Sequence, residues 1–216
     1  MAGALALAAV LAIGYLCGSL PWGLWLGRWL RGVDVRTLGS GNLGATNVYR
    51  SLGPAIGIAT LGLDIAKGAL PVWLLPLSPL GALVPGGGEW CALAAGLAAI
   101  AGHMWTVFAR FRGGKGVATT VGVLLALSPP AVGVFAAVFV VAVAATRYVS
   151  LGSILGAVGF AVTLAITGRG WRSPTALFGA LVALLVIVRH RDNIARLARG
   201  AEHRFSFRPA GTERRS

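Results

Sequence analysis

Apolar residues in this chain come in long blocks rather than in stripes, at about 3–26, 52–77, 90–109, 116–128, 130–146, 149–168 and 174–189. A run of ~20 such residues, rising ~1.5 Å each, matches the ~30 Å hydrocarbon core of a bilayer. Backbone groups find no water there, so each block must satisfy its own hydrogen bonds as a helix. Charged residues make up only 12% of the 216, against about a quarter in a soluble domain, and the mean hydropathy is +0.80. The expected fold is all-α, a polytopic integral membrane protein with about seven transmembrane helices.

The net charge of +13 does not signal a nucleic-acid partner. The arginines gather at block ends and in the tail, where they set orientation and meet anionic lipid headgroups. Cys17 and Cys91 offer neither a disulfide framework nor metal-ligand spacing, and no metal or cofactor is expected. Leu5 to Leu16 has the length of a signal peptide, but the first cation, Arg28, follows the apolar run instead of preceding it. That segment reads as a retained span with its N-terminus outside.

The fourth block covers barely ~20 Å. If 116–146 were one span kinked at Pro129 and Pro130, the arginines from Arg189 to Arg215 would face away from the other basic loops. Two crossings, or one re-entrant pair, keep Arg28, Arg31, Arg36, Arg50, Arg110, Arg112, Lys115, Arg147 and the tail together. Only Arg169 and Arg172 then lie across the membrane. The positive-inside bias therefore selects seven segments, N-terminus out and C-terminus in. Residues 1–190 form one transmembrane helical domain and 191–216 a basic cytoplasmic tail.

This topology puts three polar, glycine-bearing stretches on one face. The first, GSGNLGATNVYR, sets Ser40, Asn42, Thr46, Asn47 and Arg50 among glycines; hydroxyl, amide and guanidinium groups all donate to phosphate oxygens. The second, RFRGGKGVATT, fails as a nucleotide P-loop, because Ala109 stands where that motif has its first glycine and Gly116 where it has Ser or Thr. It reads instead as a nest of backbone donors from Gly113, Gly114 and Gly116 around Lys115, with Thr119 in the helix that follows. Of 19 Lys and Arg residues only Lys67 and Lys115 are lysine, so those sites call for a compact ammonium rather than a planar fork. The third stretch, HRDNIARLARGAE, places His190 and Asn193 on one helix face. His190 has the chemistry of a general base, and Glu202 that of an ion-pair partner for a nearby arginine. Asp64 and Lys67, at i,i+3 spacing inside the second block, read as a structural ion pair, since each alone costs about 2.5–3.5 kcal/mol in a span. His103, Ser150 and Ser153, at inner span ends, are further candidate donors.

Together GSGNLGATNVYR, GHMWTVFARFRGGKGVATT and HRDNIARLARGAE, with the intervening LDIAKG and TRYVSLGSI, resemble the bacterial acyl-phosphate:glycerol-3-phosphate acyltransferase family over roughly residues 10–203. The resemblance implies an inner-membrane enzyme of phospholipid synthesis that faces the cytoplasm. It would move a fatty acyl group from acyl phosphate to the 1-hydroxyl of glycerol 3-phosphate, giving lysophosphatidic acid and inorganic phosphate. By resemblance, Ser40 and Arg50 serve substrate phosphate and catalysis, and the Gly113–Gly116 loop binds acyl phosphate. His190 and Asn193 are activity residues, and Glu202 is structural. Partners implied are the two substrates, membrane lipids and the enzyme that makes acyl phosphate. An acyl phosphate is already an activated anhydride, so no covalent nucleophile is needed; the base is His190 or a phosphate oxygen of the substrate. The HxxxxD motif is absent: Phe108, Ala195 and Arg208 follow His103, His190 and His203 at the critical offset. The rival reading, a transporter of organic phosphate esters, requires polar residues continuing through the membrane.

Overall fold

The computed structural model describes residues 1–168 and 170–206; Arg169 and the tail beyond 206, with Arg208, Arg214 and Arg215, lie outside the described residues. The described chain is helical. Its order is α1 (Ala2–Ser19), α2 (Trp22–Arg31), α3 (Ala45–Leu52), α4 (Pro54–Leu74), α5 (Pro79–Leu83), α6 (Gly87–Met104), α7 (Val117–Leu127), α8 (Pro129–Thr146), α9 (Val149–Thr167), α10 (Pro174–Arg189) and α11 (Arg191–Ala198). Breaks fall where the chain cannot continue a helix. Pro21 parts α1 from α2, because proline lacks the amide hydrogen that the ladder needs. Gly32, Gly53 and Gly116 take positive φ values beside α2, α4 and α7.

Five segments are long and apolar enough to cross a membrane, with α1 and α2 counted together, and six if α10 and α11, bent by 58°, are one span. The expected seventh, α7, has 11 residues and reaches only ~16 Å, about half a bilayer core. The first block also differs from expectation: it breaks at Leu20–Pro21 and runs on to Arg31.

Between α1 and α6 the helices touch through small residues. A Cβ on Gly18 would sit 2.0 Å from the Ala99 carbonyl oxygen, and one on Gly102 would sit 2.1 Å from that of Tyr15. Close backbone approach of this kind drives helix association in lipid, where no hydrophobic difference exists between partner and solvent. The α4–α7 crossing is similar, with Gly68 against Thr119 and Gly122 against Ile65. A core of Ile100, Met104, Val123, Leu124, Phe160 and Val186 joins α6, α7, α9 and α10.

The loops sort onto two faces. At one end Gly3 lies against Leu83 and Pro85, and Thr175 donates to Glu89 at 2.9 Å. At the other end the chain passes repeatedly through residues 20–53, 104–116, 147–149 and 189–206, which contact one another as described below. Since Lys115 and Ser150 both belong to that second end, α7 leaves it and α8 returns to it. A single kinked span over 116–146 is therefore ruled out.

Candidate active site

The loop before α3 is shaped by glycine and held by one asparagine. Gly39 and Gly41 have φ of 55° and 69°, values open to glycine but strained for other residues. Asn47, 5% exposed, accepts the Ser40 amide at 2.9 Å and donates to the carbonyls of Leu38 at 3.1 Å and Asn42 at 2.9 Å. Asn42 in turn accepts the Gly44 amide at 2.8 Å. Asn47, expected to bind substrate, spends its amide on holding the loop while still bordering the cavity described below, and Ser40 stays exposed at the rim. One turn later on α3, Arg50 is half-buried and donates to the His203 carbonyl at 3.3 Å.

The second stretch departs further from expectation. The Gly113 and Gly114 amides are not a free nest: they donate to the Met104 and His103 carbonyls at 3.2 and 3.1 Å, closing the end of α6. Arg189 clamps the loop from the other side, donating to the Gly114 carbonyl at 2.9 Å while its guanidinium lies 5.7 Å from the centre of the Trp105 ring. Thr119 does not line the cavity either. It is fully buried where α7 crosses α4, because the missing side chain of Gly68 draws the two backbones together. What the loop presents is Lys115, with Gly116 and the first residues of α7 beside it.

Lys115 Nζ donates to Asn193 Oδ1. The Asn193 amide nitrogen donates to Glu202 at 2.6 Å, which also accepts Ser150 Oγ at 2.8 Å and Arg196 Nε at 2.7 Å. Glu202 therefore joins α9, α11 and, through Asn193, the lysine loop. Burial alone would raise its pKa, but hydrogen bonds from Asn193, Arg196 and Ser150 outweigh that and hold it low. Burial lowers Lys115 to about 8; the Glu202 charge opposes this, while Arg196 and Arg50 reinforce it. His190 sits just past the end of α10, 2% exposed. Its Nδ1 lies 2.8 Å from the Val186 carbonyl, an acceptor only, so Nδ1 carries the hydrogen and Nε2 keeps a lone pair. Burial, then the nearby Lys115 charge, press this imidazole to about 4.

These groups border a cavity of about 530 Å³. Ser40, Asn42, Thr46, Arg50, Lys115, His190 and Asn193 stand at its polar end. Ile58 and Leu61 of α4, Val121 of α7, and Val132, Phe135 and Phe139 of α8 line the rest. The cavity thus joins a cationic mouth to an apolar lane between helices. Ser153 also lines it, although its hydroxyl donates to the Val149 carbonyl at 2.8 Å. His103 and Asp64 form part of the floor. Gly113, Gly114 and Thr119 are absent from the lining. Sequence reading missed Arg189 as a loop clamp and the apolar lane altogether; the lane arises from helix packing and carries no motif.

A family profile for glycerol-3-phosphate acyltransferase matches residues 8–200. The chain belongs to the glycerol-3-phosphate acyltransferase family. It is 47% identical over 205 residues to the glycerol-3-phosphate acyltransferase of Desulforudis audaxviator, covering 95% of this chain and 98% of that one. It is 49% identical over 194 residues to the enzyme of that name from Geobacter sulfurreducens, covering 90% and 95%. Among solved structures it is similar to PlsY (YgiH), an integral membrane glycerol 3-phosphate acyltransferase, in its glycerol 3-phosphate form. The TM-score is 0.82 at 37% identity, covering 93% of this chain and 96% of that one. A lysophosphatidic acid form of the same protein matches with a TM-score of 0.81. As a member of the acyltransferase family, this chain is an integral membrane protein built from apolar helices.

Proposed function

We propose that this chain is a glycerol-3-phosphate acyltransferase that takes its acyl group from acyl phosphate and releases lysophosphatidic acid and inorganic phosphate. The observation that carries this reading is the cavity, whose mouth gathers Arg50, Lys115 and Asn193 and whose depth is apolar. A fatty acyl phosphate has the same two ends. Its tail fits the lane between α4 and α8, and its phosphate meets Lys115. Glycerol 3-phosphate, a second anion, binds toward Ser40 and Arg50.

In this reading the glycerol 1-hydroxyl attacks the acyl carbonyl carbon. A new ester C–O bond forms, the anhydride C–O bond to phosphate breaks, and phosphate leaves with the bonding pair. Holding two anions in one site removes most of the entropic barrier, and the cations stabilise charge as it develops. His190, pressed to about 4, is a poor proton acceptor at neutral pH. A phosphate oxygen of the substrate, with a second pKa near ~6, accepts the hydroxyl proton more readily. Ser40, Arg50, His190, Asn193 and Lys115 are the residues assigned to the reaction, with Asn42, Thr46, Gly116, Ser150, Ser153 and His103 around the substrates. Glu202 is assigned a structural role.

The site is assigned to the cytoplasmic face of a bacterial inner membrane, with N-terminus out and C-terminus in. Arg28, Arg31, Arg36, Arg110, Arg112 and Arg147 share the loop regions of the site face, whereas Arg172 lies at the other end, a distribution that supports this orientation. Residues 1–190 then make up the membrane domain and the basic segment from 191 its cytoplasmic continuation; the enzyme that makes acyl phosphate is the expected partner. Against transport stands the lane itself, which is lined by Val132, Phe135 and Ala136 where a permeation path needs polar groups. The test is phosphate release by purified protein given acyl phosphate and glycerol 3-phosphate. Activity with acyl-CoA alone would overturn the donor assignment.

A further inference from the structure

Under the Gly113–Gly116 loop, α4 and α6 bury three ionisable side chains. Asp64 is 1% exposed, Lys67 3% and His103 5%. Asp64 Oδ1 lies 2.8 Å from Lys67 Nζ and 3.7 Å from His103 Nδ1. Where α1 ends, Lys67 also donates to the Leu20 carbonyl at 2.7 Å, which accepts the Trp22 amide as well. Taking two charges out of water costs several kcal/mol each. A tie between α1 and α4 would need only the lysine and its carboxylate, yet the His103 ring packs beside the same oxygen, beyond hydrogen-bond reach, with its Nδ1 buried and unpartnered.

The far edge of that histidine meets the loop. A Cβ on Gly114 would lie 2.1 Å from His103 Nε2, and one on Gly113 would lie 2.0 Å from the His103 carbonyl oxygen. From above, Arg189 donates to both glycine carbonyls, at 3.4 and 2.9 Å. Little slack remains: the cavity bordered by Asp64, Lys67, His103, Trp22 and Gly114 measures about 10 Å³, room for one water at most. A tilt of the imidazole toward the loop is therefore passed to Gly114, and Lys115 is the next residue.

We propose that Asp64, Lys67 and His103 form a positioning device for the lysine loop: the ion pair fixes the carboxylate, the carboxylate orients the imidazole, and the imidazole sets where Lys115 meets the phosphate of the acyl donor. The ligand named here rests on the acyl-phosphate reading; the mechanical coupling to Lys115 does not. Asp64 and Lys67 are positioning residues, acting through the loop; His103 has that role in addition to its place at the cavity floor, and the double variant, which leaves His103 in place, isolates the positioning effect.

Two readouts on the purified full chain separate those layers. In steady-state kinetics, His103→Ala raises KM for acyl phosphate about tenfold and leaves KM for glycerol 3-phosphate within about twofold; His103→Phe, which keeps the ring volume, recovers part of the loss. The double variant Asp64→Asn/Lys67→Met removes both charges together, so no unpaired charge stays buried, and gives the same shift in KM with the melting temperature retained. It decides the matter if His103→Ala fails to fold. The second readout ignores turnover. Lys67 and Lys115 are the only lysines, so labelling by an amine-reactive reagent, read by mass spectrometry at Lys115, rises about threefold or more in the variants as the loop loosens. Variants that fold, keep both KM values and label Lys115 like the wild type overturn the proposal, as does a fall in kcat alone. Wild-type protein inactive with acyl phosphate, but showing the labelling change, sinks the substrate assignment and leaves the positioning device standing.

Discussion

Between Gly39 and Arg50 the glycines bend the backbone and an asparagine holds the bend; between Gly113 and Gly116 two glycines let the backbone lie flat on a neighbour. In the first loop Gly39 and Gly41 supply positive φ, and the Asn47 amide fastens Ser40, Leu38 and Asn42. In the second, Gly113 and Gly114 close onto the end of α6, leaving no room for a Cβ beside His103. One residue type meets two different needs, conformational freedom and close approach. The first loop is held by one side chain that both accepts and donates, whereas the second is held by backbone bonds and close contact with His103 and Met104.

That contrast can be broken or sharpened by substitution. The largest effect is expected for Lys115→Ala, which removes the charge the second loop delivers; kcat/KM for acyl phosphate should fall about 10²–10³-fold, and turnover equal to wild type would end the argument for that loop. Gly113→Ala comes next, because the new methyl must push against the His103 carbonyl; a shift of ~1 Å in the loop costs about 10²-fold in rate, measurable in protein that still elutes as folded. Asn47→Ala should instead act on stability, by about 1–3 kcal/mol, since it leaves buried loop donors and acceptors unpaired; thermal unfolding in detergent measures it.

Smaller effects probe charge and packing. Lys115 is a cation whose pKa is lowered to about 8, below the ~10.4 of the unfolded chain. Acyl transfer should therefore drop about fivefold from pH 8 to pH 9 as the ammonium is lost, and Lys115→Arg should abolish that alkaline limb at whatever rate remains. Stability moves the other way: between about 8 and ~10.4 only the unfolded state keeps the proton, so folding becomes more favourable as pH rises. The smallest effect belongs to Thr119→Val. Its hydroxyl is buried without a partner, so stability and turnover should change by less than about 0.5 kcal/mol; a tenfold loss would return Thr119 to the substrate site.

The helices, their one-sided loops and the convergence of Arg50, Lys115 and His190 with Asn193 were legible from block length, arginine placement and residue type. Three things were not. The end of α1 at Leu20 was hidden because Pro21 sits inside an otherwise unbroken apolar block, and only the Lys67 bond to the Leu20 carbonyl gives that break a use. The inward turn of Thr119, and the use of the Asn47 amide within its own loop, depend on which face of a helix meets a neighbour, and short polar segments do not fix that face. Glu202 reads as the ion-pair partner of a nearby arginine, but which arginine was hidden, because spacing along α11 does not say that Glu202 folds back onto Arg196.

The placement of Glu202 has a consequence for biosynthesis. The residue that ties Ser150, Asn193 and Arg196 together leaves the ribosome after all the apolar helices of the described residues. A nascent chain therefore inserts these helices with an unlatched mouth, and the latch closes only when the segment carrying Glu202 folds back onto α9. A chain interrupted before that residue would hold its helices without the bridge between Ser150 and Asn193 that Glu202 supplies.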